Sequence, residues 1–389
     1  MKLQHWVAAG CCALSVSAYA KTSITLFGII DNGIEYVSNA NPAGDKLVRM
    51  PAITGELPSR WGLRGSEDLG GNLQAVFTLE SGFNARDGEL GLAHRLFGRQ
   101  AWVGLSSPYG QLSFGRQYTM TSWANKDSDI LGPDIFGSGA LDPAYANARS
   151  DNAIAYKGTF NGLTLGATYS FGRENSAHGT TPRQGPCPGQ VAGQVAGQGA
   201  GEVAGSPTQC RQWSALLKYD ASNFGVAAAY DEQRGGGSAA ANFFDGIEPV
   251  PLTNAADKDI RMQLNGWAKL YGLKVGGGWA GRRVRPDSPA IANVYADLFY
   301  LGASYPVTSS LIVDGQVFRV VNARHNTRAT MGTLRSTYLL SARTAVYLQG
   351  AYLANSAQAA YTLSTGGGGT TPAKGASQLG MAAGLRHSF

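Results

Sequence analysis

Period-2 alternation of apolar and polar residues, repeated along nearly the whole chain, constrains this sequence more than any other feature. Leu163, Leu165, Ala167, Tyr169 and Phe171 alternate with Gly162, Thr164, Gly166, Thr168 and Ser170. Leu73, Ala75, Phe77 and Leu79 alternate with Gln74, Val76, Thr78 and Glu80, and Met262, Leu264, Gly266, Ala268 and Leu270 with Arg261, Gln263, Asn265, Trp267 and Lys269. Successive side chains of a strand point to opposite faces, so these segments are strands with one apolar and one polar face. The pattern predicts sixteen of them, at about 22–37, 58–69, 72–84, 95–106, 110–119, 151–160, 163–172, 211–221, 223–233, 258–271, 272–284, 294–306, 309–322, 328–341, 344–355 and 377–389.

The connections alternate between tight and long. Tight ones include Leu69-Gly70-Gly71, Tyr271-Gly272 and Ser341–Thr344; long ones include 38–57, 120–150, 173–210, 234–257 and 356–376. A soluble sandwich has no reason to put its long loops at one end. A transmembrane barrel does, because its periplasmic turns are short and its external loops long. Each strand needs only ~9–11 residues to cross, and with no water for the backbone the sheet must close on itself. The expected fold is all-β: a 16-stranded antiparallel transmembrane barrel.

Composition agrees. The 389 residues include 53 glycines and only 15% charged side chains, which disfavours helical bundles. Mean hydropathy is −0.14. That value excludes a helical membrane protein but not a barrel, which averages a lipid face with a water face. No dense Lys/Arg block points to nucleic acid.

Met1–Ala20 has one early cation, Lys2, then an apolar stretch, and ends in the small-x-small triplet Ala18-Tyr19-Ala20. It predicts a secretory signal peptide over 1–20 and a mature barrel over 21–389. Cys11 and Cys12 lack the large aliphatic residue and preceding apolar run of a lipoprotein site, since Ala8 stands three before Cys11. Removal leaves 31 basic against 26 acidic side chains. Cys187 and Cys210 flank the Gly/Gln/Ala/Val-rich part of a 173–210 external loop. Outside the cytoplasm they are able to form one disulfide, and neither has metal-ligand spacing.

Gly276-Gly277-Gly278-Trp279-Ala280-Gly281 satisfies G-x-G-x-x-G but lacks a βαβ context. Glycines there allow bends or close approach within a strand. Outward tryptophans such as Trp213 and Trp279 suit an interfacial girdle. His94, His178, His325 and His387 have neither metal spacing nor a nucleophile partner, so no enzyme, metal or cofactor is expected.

Several stretches resemble the general diffusion porins of Gram-negative bacteria, most closely the type found in Neisseria- and Burkholderia-like organisms. They are Ser23–Asp31, Ser59–Gly71, Arg99–Leu105, Gly115-Arg116-Gln117, Arg149–Ile154 and the terminal Gly384–Phe389. The resemblance covers essentially the whole mature chain. It implies a homotrimer in outer-membrane lipid that passes ions and small hydrophilic solutes, and it implies that the barrel-assembly machinery reads the terminal Phe389.

The resemblance also implies that the third external loop, about 119–150, folds inward. Its Pro133-Asp134-Ile135-Phe136-Gly137 run is similar to the family's Pro-Glu-Phe-Gly, with one residue inserted and Asp for Glu. Asp127, Asp129 and Asp134, with Asp142 beyond, make this loop acidic. Opposite it the family places arginines, at positions matching Arg60, Arg116 and Arg149, and parity adds Arg64. Arg116 shares parity with Leu112 and Phe114, so it needs a bulge or a strand end near Gly115 to reach the lumen. Further candidate lumen cations are Lys218, Arg261, Lys269, Lys274, Arg282 and Arg335. A mild preference for anions is expected. A substrate-specific channel, or an adhesin or receptor using the 173–210 loop, is the alternative.

Overall fold

The computed structural model describes residues 22–52, 54–173, 187, 208–237, 239–364 and 369–389. The expected signal peptide, His178 and the repetitive stretch between the two cysteines lie outside the described residues.

Sixteen antiparallel strands form one closed sheet. They are β1 (Thr22–Val37), β2 (Arg60–Gly70), β3 (Leu73–Gly82), β4 (Gln100–Ser107), β5 (Gly110–Tyr118), β6 (Arg149–Phe160), β7 (Leu163–Ser170) and β8 (Gln212–Asp220). There follow β9 (Phe224–Arg234), β10 (Lys258–Leu270), β11 (Leu273–Arg285), β12 (Val294–Pro306), β13 (Leu311–Asn322), β14 (Thr327–Leu339), β15 (Thr344–Asn355) and β16 (Gln378–Ser388). β1 closes the barrel by pairing with β2 through Thr22–Ile29 and with β16 through Ile29–Val37. Phe389 completes the seam, exchanging two backbone hydrogen bonds of 3.0 Å with Gly28. Every long edge is thereby paired, which a bilayer demands.

Three short strands were not expected. Leu47–Arg49 pairs with the end of β1, and Ala240–Ala241 pairs with Val250–Pro251 in an external loop. β4 starts at Gln100 rather than near 95. A four-residue helix, Gly91–His94, precedes it, with Leu92 and His94 at positive φ. The connection between β13 and β14 is short although it is external.

Alternation governs most of the wall. In β7, Leu163, Leu165 and Tyr169 face out while Thr164, Thr168 and Ser170 are buried inward. It fails over the outer halves of β12–β15. There Leu298, Tyr300, Phe318, Val320, Met331 and Leu353 point inward and are buried with Leu131, Ile135, Phe136 and Leu141 of the third external loop. A covered inner face favours apolar residues on both sides of the strand. Each such side chain contributes about 1.5–3 kcal/mol relative to exposure, so this cluster anchors the loop inside the barrel.

On the external side Cys187 and Cys210 are joined by a disulfide, with Cα atoms 5.1 Å apart. Both are buried against Phe243, Val250 and Leu252 of the neighbouring loop.

Candidate functional site

The inward loop runs from Thr119 to Ala148 between β5 and β6, and carries helices over Met120–Asn125 and Pro143–Asn147. Asp142 caps the second helix by accepting from the Ala144 N–H at 3.0 Å, with Pro143 in its first turn. This is the ordinary start signal of a helix.

Polar ties fasten the loop to the barrel. The Met120 N–H donates to Ser214 Oγ at 3.0 Å, and the Leu131 N–H to Gln316 Oε1 at 2.9 Å. Thr333 Oγ1 donates to the Phe136 carbonyl at 2.8 Å. Arg335 donates to Asp134 at 2.9 Å and to Asp314 at 2.7 Å. The wall also makes room. A Cβ on Gly276 of β11 would lie 2.2 Å from the Ser128 carbonyl oxygen, so that glycine permits the loop backbone to approach.

These ties use the loop's carboxylates. Asp134 is fully buried and accepts from the Phe136 N–H as well as from Arg335. Asp129 accepts from Ser138 Oγ at 2.7 Å, Gln316 Nε2 at 3.0 Å and the Gly132 N–H at 3.2 Å. Burial pushes its carboxyl up to about 6 against those hydrogen bonds. Asp127 pairs with Lys218. Partial burial pulls its carboxyl upward, but the Lys218 hydrogen bond and charge hold it below the usual range. Asp142 faces Arg261 at 3.5 Å and Arg282 at 4.0 Å.

The arginines across the lumen find carboxylates and hydroxyls on their own wall. Arg60 and Arg99 flank Glu80 at 3.2 and 2.9 Å. Arg99 and Arg149 both donate to the Tyr118 hydroxyl, at 2.8 and 2.6 Å. Arg116 binds Asp151 at 2.6 Å and the Gly98 carbonyl at 2.7 Å. The bulge that Arg116 needed is present: the β5–β6 ladder shifts register between Gly115 and Gln117, with Gly115 at φ +128°. Arg64 lies over the Phe27 ring at 4.7 Å.

Between loop and wall lies a cavity of about 690 Å³. Arg60, Arg64, Arg99, Lys126 and Lys157 line it, with Glu80 and Asp129 as the lining acidic side chains. Arg116 and Arg149 are buried and do not line it. The expected array of loop acids directly facing wall arginines is not assembled as such. Of the three predicted carboxylates Asp129 alone borders the cavity; Asp134 is committed to Arg335 and Asp127 to Lys218. The prediction missed Arg99, Lys126, Lys157 and Glu80. Lys157 was legible, because it shares parity with the inward Ala153 and Ala155 of β6. Among the described residues no cluster of His, Cys, Asp or Glu could hold a metal.

A family model described as Gram-negative porin matches residues 7–358. An outer membrane porin of Bordetella pertussis is 30% identical over 375 residues, covering 87% of this chain and 91% of the relative. The solved anion-selective porin from Comamonas acidovorans superposes with a TM-score of 0.70 at 25% identity, covering 95% of this chain and all of that one. A trimer form of OmpT, an outer-membrane protein of Vibrio cholerae, has a TM-score of 0.64 at 12% identity, covering 95% and 99% of the two chains. At that identity the likeness concerns the fold alone.

Proposed function

This chain belongs to the Gram-negative porins, outer-membrane diffusion channels, and from that premise we propose that it prefers small hydrophilic anions. The carrying observation is the charge around the cavity: five lysine and arginine side chains against two acidic ones. Arg60 and Arg64 are the proposed selectivity residues among the arginines expected from the sequence, and Arg99, Lys126 and Lys157 join them. The buried Arg116 and Arg149 support them. Asp127, Asp129 and Asp134 position the loop, and Asp129 also contributes charge to the lumen. The printed description of the Comamonas protein as anion-selective supports the same direction.

Excess positive charge in a narrow aqueous path raises local anion concentration and lowers that of cations. A site potential of ~1 kcal/mol changes the local concentration of each ion about fivefold, upward for anions and downward for cations, so a few uncompensated cations suffice. The working unit is a homotrimer, in keeping with the trimer form of the Vibrio protein. Residues 1–20 direct export, Phe389 is the assembly signal, and passage needs no catalysis. Reversal potentials across a planar bilayer in a potassium chloride gradient test the proposal. The expected result is an anion-to-cation permeability ratio above one; a clear cation preference refutes it.

A further inference from the structure

The lipid-facing surface of β11–β16 carries an apolar groove. It has a volume of about 760 Å³. Three glycines, Gly315, Gly332 and Gly350, form part of its lining. A Cβ at Gly332 would meet nothing within 4 Å, so the floor is recessed rather than packed. Exposed Leu301, Leu334 and Tyr352 are among its walls.

The strand register places arginines immediately above it. Val317 pairs with Gly332, and the next outward pair toward the external end is Arg319 with Thr330. Two residues along a strand is about 7 Å. Arg328 pairs with Val321, one outward step higher still, so it is the diagonal neighbour of Arg319, about 7–8 Å away. Both arginines are exposed, on the face opposite to buried Phe318 and Ala329. Arg324, also exposed, lies in the short external turn above them.

Charge sets this spot apart from its surroundings. On β11 and β12 the outward Arg283 is paired with Asp297 at 2.8 Å. Arg319 donates to the Thr330 hydroxyl, and among the described residues no carboxylate lies within ion-pair distance of Arg319, Arg324 or Arg328. Unneutralised arginines on a lipid face are tolerated only near the interface. Exposed Phe299 shares the row of Arg319, and Tyr295 lies further toward the rim, as an interfacial aromatic girdle would. Guanidinium groups match phosphate with paired donors.

We propose that this surface is a docking site for one phosphate-bearing lipid of the outer leaflet. Its phosphate is held by Arg319 and Arg328, and an acyl chain lies in the glycine-lined groove below. The inference rests on the outer-membrane location of the barrel and is independent of its ion preference.

Native mass spectrometry of the full barrel in detergent tests it, with a bisphosphorylated, multiply acylated disaccharide lipid as the probe. Phosphatidylcholine and inorganic phosphate are the comparison ligands. The expected result is retention of the disaccharide lipid at least tenfold tighter than phosphatidylcholine. The R319A/R328A double variant loses at least tenfold in affinity, and so does Gly332→Leu, which fills the groove without touching a charge. Single-channel conductance stays unchanged in both, which shows that the barrels are folded. Undiminished lipid retention in either variant overturns the proposal. So does displacement of the lipid by millimolar inorganic phosphate, which would mark an ion site only. A change of subunit number in Gly332→Leu would assign the groove to a second copy of the chain and also overturn it.

Discussion

Replacing Arg64 by glutamate swings the charge beside the cavity by two units at a side chain with no carboxylate partner among the described residues. The size of the effect follows from the dimensions. A sphere equal in volume to the cavity of about 690 Å³ has a radius of about 5.5 Å, so a permeating ion passes at about 6 Å from the wall charge. One unit charge at that distance in water is worth ~0.7 kcal/mol, and screening at 0.1 M salt reduces it to ~0.4. Reversing its sign therefore costs an anion ~0.8 kcal/mol and favours a cation by as much. The anion-to-cation ratio falls by exp(~1.6/0.59), or roughly fifteenfold. Arg64→Gln, half the perturbation, gives roughly fourfold. Reversal potentials of wild type and both variants in the same gradient read these ratios directly. A ratio that moves less than twofold in Arg64→Glu refutes the reasoning, because it removes the wall of β2 from control of permeation. Equal effects of glutamine and glutamate also refute it, since a through-space charge effect must scale with charge.

Asp129, whose carboxyl is raised to about 6, binds its proton more tightly in the docked loop than in an unfolded chain, where it titrates near 4. The stability of loop docking therefore falls as pH rises from about 4 to about 6 and is level above. In the docked loop, acidification through about 6 removes one negative charge from the cavity, so anion preference rises between pH 7.5 and 5. Asp129→Asn abolishes that rise in reversal-potential measurements, and persistence of the rise would assign it to another group. Arg335→Met strands Asp134 without its cation, which costs about 3–5 kcal/mol in denaturant unfolding. Adding Asp134→Asn recovers only part of the loss, because Asp314 still lacks its cation. Gly276→Ala drives a methyl group into the Ser128 carbonyl and shifts the loop, so single-channel conductance changes. Gly332→Ala, which meets nothing, leaves it unchanged. Replacing Cys187 and Cys210 by serine lowers stability by about 3 kcal/mol in thermal unfolding, and leaves ion selectivity intact.

Strand number, pairing order and loop placement were legible because they depend on local pattern. The parity conflict at Arg116 pointed to a break near Gly115, either a bulge or a strand end, since an arginine on a lipid-facing phase has to leave that phase or lie in lipid; the structure has the bulge. The fate of the loop acids was not legible. Asp134 and Arg335 are separated by 201 positions, and nothing near Asp134 announces which wall cation will take it. The dry half of the lumen was marked in the sequence but passed over. Leu298-Phe299-Tyr300-Leu301 and Val317-Phe318 break the alternation with consecutive apolar residues. A strand does that where both of its faces are covered. Lys157 had the right parity; Lys126 sits on an irregular loop, where periodicity gives no direction.

The fastening of the third loop also dictates an order of events during biogenesis. The loop is made early, yet its clasps on Gln316, Thr333 and Arg335 lie 185, 197 and 201 residues from their partners in it. Contacts of such range form late, after the intervening chain has lost its freedom. Until β13 and β14 are synthesised, the loop's first half can dock on β8 and β11, but Leu131, Ile135 and Phe136 lack the cover of Phe318, Val320 and Met331. Narrowing of the passage is therefore among the last steps of maturation. A chain truncated before Gln316 would keep the loop's full sequence while lacking every one of these three clasps.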